Sequence, residues 1–364
     1  MSQTNSSSTK RIAILVEKMV EDSEFQIPYQ ALKQAGMEVV VLGSRMNEQY
    51  PGKQGKVSIK PDATTTEARP EYFDAVIIPG GAAPDMMRTN PNTVRFVKEA
   101  MTQGKLIAAV CHGPQVLIEA DLLRGKNATG FDSIRKDMEN AGAKFIDEPL
   151  VVDGNLITSR RPGDLALFTT AILSRLGYGG KEAALPHEND ITAEWWKLAN
   201  AWGGSTKGEI VQALNTALAG ERYSREAFDN YAQKASTVDA RSLFQEIVQN
   251  KQRHIQMLEA RLDAFNEKPS LQAKAAETIA KINEALKGSD EIALLRRALG
   301  NIQTGVVDTY YLRNMLTDPV TVALLAEIEV DLAQYEQRVA QIYHSLIGAQ
   351  PAQAAKPTSS AAMG

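Results

Sequence analysis

The chain has 364 residues, of which 43% are hydrophobic and 23% charged, with a formal net charge of -4 at pH 7 and a single cysteine. That length exceeds one ordinary core and predicts two domains, while the balanced charge gives no reason to expect nucleic acid or an anionic membrane as partner. One cysteine excludes an internal disulfide, and no apolar run of about 18 residues is present to span a membrane.

Residues 1–10 are rich in Ser, Thr and Asn without the apolar stretch of a signal peptide, and are expected to be disordered at the start of a soluble, cytoplasmic protein. Across residues 11–180, short apolar runs at 12–16, 39–42, 75–78 and 106–110 alternate with helical patterns. Continuous apolar strands separated by helices predict an α/β sandwich built on a parallel sheet covered on both faces. A connector at residues 181–205 carries all three tryptophans, Trp195, Trp196 and Trp202, too many for a purely flexible linker. They are expected to pack it against a domain or a neighbouring subunit. From 206 to 348 apolar residues recur every three or four positions, and the only prolines, Pro269 and Pro319, fall between the periodic segments. Helices are predicted at about 206–235, 239–266, 289–317 and 320–347, with a shorter crossover helix at about 270–287, which together read as a four-helix bundle. Residues 349–364 are rich in Ala, Pro and Ser and are expected to be disordered.

The chemistry concentrates at Ala109-Val110-Cys111-His112-Gly113-Pro114, where an apolar strand meets a Gly-Pro helix start. A sharp strand-to-helix turn lifts its side chain out of the sheet, and the free N–H groups of the helix start stabilise a thiolate there. Cys111 thus reads as a nucleophile, against the plainer reading of a small buried hydrophobe. Attack on a carbonyl also needs N–H donors for the oxyanion, which the His112 backbone and the Gly80-Gly81 turn are placed to supply. Glu24, with Asp22 and Ser23, precedes an amphipathic helix and reads on its own as a first-turn carboxylate aiding the helix dipole. Asp85, after Pro84, reads on its own as a helix cap.

The motifs Val76-Ile77-Ile78-Pro79-Gly80-Gly81, Ala83-Pro84-Asp85 and Cys111-His112-Gly113-Pro114-Gln115 occur in the order and at the spacing of PfpI-type intracellular cysteine peptidases. The match continues through Asp137-Met138-Glu139-Asn140-Ala141-Gly142, Val151-Val152-Asp153-Gly154-Asn155 and Ser159-Arg160-Arg161-Pro162-Gly163-Asp164-Leu165. The chain from about 10 to 177 therefore resembles the PfpI-type peptidase and deglycase family, within the class I glutamine amidotransferase-like superfamily. The resemblance implies a flavodoxin-like α/β fold without a cofactor and a Cys111 nucleophile touched by Glu24. It also implies a homo-oligomer, dimer or hexamer, in which Asp85 of one copy orients His112 of another. It implies hydrolysis of peptides or amides, or glyoxalase III and deglycase action on methylglyoxal and its adducts. The alternative is a redox stress sensor, holdase or scaffold whose Cys111 is oxidised without turnover.

The second half resembles ferritin-like domains in helix order and in Glu221, which shares an apolar stripe with Leu214 and Phe228. His254 shares another with Ile247 and Leu258. The di-iron ligand set is incomplete, since Lys251 stands three residues before His254 and Gln341 three before His344, where Glu-x-x-His is needed. No bound metal is expected. Glu221, Lys251 and His254 read instead as a buried polar cluster with Glu221 and Lys251 paired.

Overall fold

The computed structural model describes residues 9–178, 185–188, 190, 193–270 and 290–349. The expectations for residues 1–8, for much of the connector, for nearly all of the crossover helix and for the tail lie outside these residues. By its internal contacts the chain divides into two compact units, Met1–Glu209 with Asn314–Val322, and Ile210–Arg313 with Ala323–Gly364.

The first unit is a seven-stranded sheet flanked by helices. In chain order its strands and helices are β1 (Arg11–Leu15), α1 (Asp22–Gln34), β2 (Glu38–Gly43), β3 (Tyr50–Pro51), β4 (Ser58–Ile59), β5 (Ala63–Thr64), β6 (Ala75–Ile78), α2 (Ala83–Met87), α3 (Pro91–Thr102), β7 (Leu106–Val110) and α4 (Pro114–Glu119). There follow β8 (Asn127–Ala128), α5 (Arg135–Asn140), β9 (Lys144–Phe145), β10 (Leu150–Asp153), β11 (Leu156–Ser159), α6 (Leu165–Arg175) and α7 (Trp195–Ala201). The sheet runs β10-β11-β7-β6-β1-β2-β5. All neighbours are parallel except β10 with β11, whose antiparallel pairing gives a mixed sheet where an all-parallel one was expected. The exception follows from Gly154, which takes φ +63° in a two-residue turn between Asp153 and Leu156 too short for a crossover.

Strand β6 and the last four residues of both β1 and β7 are fully buried, so their continuous apolar sequence reflects cover on both faces. Trp202 joins this core, and Trp195, 5% exposed, packs with Ala166 and Ala199 while its indole N–H donates to the Asp190 carbonyl. Two of the three connector tryptophans therefore pack within this unit.

The second unit is the ferritin-like bundle, formed by all of α9 (Val238–Ala264) and most of α8 (Lys207–Lys234), α10 (Glu291–Met315) and α11 (Pro319–Ala349). These ends agree with the periodicity to within a few residues. Leu214, Phe228, Ile247 and Leu258 are fully buried, and Phe228, Tyr231 and Phe244 form an edge-packed aromatic group. No helix among the described residues is long and apolar enough to cross a membrane.

Candidate active site

Register places the site. Ile78 of β6 lies opposite Ala109 of β7, so the two chains leave the sheet together and Gly80 comes to stand beside Cys111. Ile14 of β1 lies opposite Ile77, which brings the start of α1 to the same edge. Three connections thus converge at the carboxyl ends of adjacent parallel strands, where open α/β sheets form their crevice.

Cys111 adopts φ +59°, a left-handed conformation that costs a non-glycine residue roughly 1–3 kcal/mol and is kept only where surrounding structure imposes it. Here the Cys111 N–H donates to the Ser159 carbonyl and its own carbonyl accepts from Phe131 N–H, which fixes the turn on both sides. The side chain is 6% exposed. The turn also swings the next residue back, so that His112 Nδ1 lies 3.2 Å from Cys111 Sγ. Its Nε2 lies 3.1 Å from Ser133 Oγ, and the ring stacks on Phe131 with centroids 5.0 Å apart. Burial, with the Lys53 charge added, pulls the imidazole below its ordinary value, favouring the neutral ring. With Nε2–H donating to Ser133, Nδ1 is left to accept the thiol proton.

Glu24 is fully buried in the first turn of α1. Oε2 accepts the Gly80 N–H at 2.7 Å, while Oε1 has no hydrogen-bond partner among the described residues. A buried carboxylate so thinly solvated favours its neutral form. Burial first, and the nearby Glu21 charge second, push its pKa up to about 8. Burial and the Glu24 charge likewise push the Cys111 thiol well up, against the Gly81 N–H, which favours the thiolate. Once Glu24 holds a proton its charge is gone and its O–H becomes a donor toward sulfur, so the two groups titrate as one pair.

The Gly80 N–H is thus occupied by Glu24, and the donors left for an oxyanion are those of Gly81 and His112. The His112 N–H has no backbone acceptor among the described residues. Gly80 matters instead for what it lacks: a Cβ there would stand 2.7 Å from Cys111 Cβ, Glu24 Oε2 and the His112 backbone nitrogen alike. Gly80→Ala is therefore expected to abolish Cys111 reactivity toward a thiol reagent and cost roughly 1–3 kcal/mol, checked by labelling rate and denaturation. Gly81, at φ +76°, would meet the Met19 carbonyl at 2.3 Å.

Asp85 is exposed and pairs with Arg88 at 3.1 Å, so within one chain the residue at His112 Nε2 is Ser133. Neither Ser133 nor Lys53 stood out in the sequence. Ser133 arrives on a 3-10 turn after Phe131, and Lys53 on the loop joining β3 to β4. That loop is held by Asp22, whose carboxylate accepts the N–H groups of Gln54, Lys56 and Val57 at 2.7, 2.7 and 2.9 Å. Lys53 in turn pairs with Glu21 at 3.4 Å.

The DJ-1/PfpI family model matches residues 10–175. General stress protein 18 of Bacillus subtilis is 43% identical over 168 residues, covering 46% of this chain and 98% of that protein. The chain belongs to the DJ-1/PfpI family. Protein/nucleic acid deglycase 2 of Escherichia coli is 41% identical over 170 residues, covering 46% of this chain and 99% of that protein. Both align with the DJ-1/PfpI half alone. Both halves are present in a crystal structure of a two-domain protein from Anabaena variabilis containing DJ-1/ThiJ/PfpI-like and ferritin-like domains. It is 64% identical with a TM-score of 0.89, covering 94% of this chain and 97% of that one. Residues 209–306 match a domain of unknown function, DUF2383.

The residues that the ferritin-like fold would offer to a di-iron centre do not fit one. The Lys251 ammonium sits 2.7 Å from Glu221 Oε1, placing a fixed cation where a metal would need that oxygen. His254 Nδ1 takes Oε2 at 2.9 Å. The pair expected between Glu221 and Lys251 is present, and Asp331 of α11 joins it through His254 Nε2 at 3.0 Å.

Proposed function

We propose that the DJ-1/PfpI half is a cysteine-dependent hydrolase or lyase acting on small carbonyl compounds, methylglyoxal or its adducts with amines. The observation that carries this reading is the geometry of Glu24, fully buried with Oε2 on the Gly80 N–H at 2.7 Å and its pKa raised by that burial, beside a thiol whose Sγ lies 3.2 Å from His112 Nδ1. The pair supplies a base for the S–H proton and an acid for the alkoxide that follows.

In this mechanism His112 Nδ1 takes the thiol proton and Cys111 Sγ attacks the aldehyde carbon. The carbonyl electron pair moves to oxygen, facing the Gly81 and His112 N–H groups, and Glu24 delivers the proton that completes a hemithioacetal. Glu24, now a carboxylate, removes the carbon-bound proton of the hemithioacetal to give an enediolate, the hydroxyl proton passes to the former ketone oxygen, and return of the first proton to the adjacent carbon leaves the thioester of the 2-hydroxy acid. Water hydrolyses the thioester to the hydroxy acid and restores the thiol. Methylglyoxal and water become lactate with no external oxidant. A thiol buried this deeply suits small aldehydes better than folded polypeptides.

The test follows methylglyoxal loss and lactate release beside a fluorogenic peptide, for wild type and Cys111→Ala. Cys111-dependent lactate is the expected result. Peptide cleavage alone would make the protein a peptidase, and turnover of neither would replace the enzyme with a redox sensor or scaffold.

A further inference from the structure

Glu21 caps α1 three residues before Glu24, and the two are 3% and 0% exposed. Side chains at that spacing are neighbours, so two like charges held there away from water oppose one another strongly. Their hydrogen bonds decide which of them carries the charge. Glu21 Oε1 accepts from Gln54 Nε2 at 2.6 Å, and Oε2 faces Lys53 Nζ at 3.4 Å. Amide N–H and ammonium groups accept nothing, so neither oxygen of Glu21 meets an acceptor for a carboxyl proton. Glu24 is the converse: Oε2 takes the Gly80 N–H, and Oε1, with no hydrogen-bond partner among the described residues, is left to hold the proton. Burial pushes both carboxyls up, but the Lys53 charge works against it at Glu21, whereas the Glu21 charge adds to it at Glu24.

The donors that hold Glu21 are themselves fixed. Both stand on the β3–β4 loop, where the Lys53 N–H donates to the Val20 carbonyl at 2.8 Å and Asp22 gathers the N–H groups of Gln54, Lys56 and Val57. A Cβ on Gly52 would stand 2.4 Å from Asp22 Oδ1, so the loop comes this close only with glycine there. The titratable groups around the two carboxyls are Asp22 on α1, Lys53 on the loop, and Cys111 with His112 on the turn after β7. Helix α6 and strand β2 also pack on α1 but bring only Arg175 and Glu38, which pair with Glu188 and Arg11.

We propose that Glu21 is a positioning residue of the Cys111 site: its charge, fixed by Gln54 and Lys53, confines the proton to Glu24, beside the thiol. The inference rests on the reading of Glu24 as the acid of the proposed reaction, but its test needs no turnover.

The experiment follows the infrared band of protonated carboxyl against pH in the full-length protein, with Glu24→Gln identifying the band by removing it. The wild-type band is expected to titrate away at about pH 8. Its midpoint should fall by about one pH unit in Glu21→Gln and stay in place in Glu21→Asp. A merely structural role predicts the reverse order, because glutamine keeps the length and the acceptor for Gln54 while aspartate keeps only the charge. Lys53→Met, on a half-exposed side chain, leaves Glu21 without its cation and should move the midpoint up. An unmoved midpoint in Glu21→Gln, an equal fall in Glu21→Asp, or no rise in Lys53→Met would overturn the proposal. So would a wild-type spectrum from which Glu24→Gln removes nothing, which would take the protonated Glu24 with it. The expected shifts in a protein that turns over neither methylglyoxal nor peptide would sustain the role of Glu21 while removing the reaction proposed for Cys111.

Discussion

Glu24→Gln is expected to make the protein more stable and far less active, with a stability gain that grows with pH. In the folded chain Glu24 titrates at about 8, against an ordinary value of 4.5. Between those values the folded state holds a proton that the unfolded state has released, so this group's contribution to stability falls as pH rises from 4.5 to 8. At about 1.4 kcal/mol per pH unit the loss is on the order of 3 kcal/mol at pH 7. Glutamine has nearly the same shape, still accepts from Gly80 N–H, and does not titrate. Denaturation of both at pH 5 and pH 8 checks the sign: the gap should be small at pH 5 and wide at pH 8, and a gap that narrows would show that Glu24 is ionised in the fold. Activity should fall by about 10²-fold or more through loss of the positioned acid.

That coupling of instability to function is where sequence reasoning stops. The placement of Cys111, Gly81 and His112 was legible from their turns at strand ends, whereas Glu24 on its own read as a first-turn helix carboxylate and only the family resemblance pointed it at Cys111. The four bundle helices were legible because a buried stripe repeats every three or four residues over 25 residues or more. Ser133 was not, since a serine on a short turn carries no pattern, and only the +59° turn at Cys111 swings His112 toward it. Lys53 was not, since its placement depends on Asp22 gathering three backbone N–H groups from a loop some thirty residues on. Gly80 was read as an oxyanion donor because sequence shows a glycine turn without showing which N–H is already taken. In the bundle, Glu221 and Lys251 were paired correctly from their stripes, but nothing along α11 distinguished Asp331 from Glu327 or Glu329 as the acid that His254 meets.

Removing that pairing should have the largest effect in the second unit. Glu221→Ala leaves Lys251 without its partner and His254 with one carboxylate where it had two, and an uncompensated buried cation costs about 3–5 kcal/mol. For a domain of this size the melting temperature should drop on the order of 10 °C. Lys251→Met should cost much less, because it deletes the cation with the bond and leaves the Glu221–His254 contact intact. Glu221→Met with Lys251→Met should therefore recover part of the loss seen in Glu221→Ala. The native pairing also sets a pH direction. Lys251, followed by His254, holds Glu221 below 4.5 despite its burial, and hydrogen bonds from His254 and Asn250 hold Asp331 below 3.8. Their contribution is complete above those ordinary values and is lost as pH falls through the lower, folded ones. All three tryptophans lie in the first unit, so their fluorescence reports the wrong domain. The bundle's transition has to be read by calorimetry, or by helical circular dichroism after the sheet domain's transition has been assigned, because two domains do not share one midpoint. Equal losses in Glu221→Ala and Lys251→Met would mean that packing around the stem of Lys251, and not charge compensation, holds this cluster together.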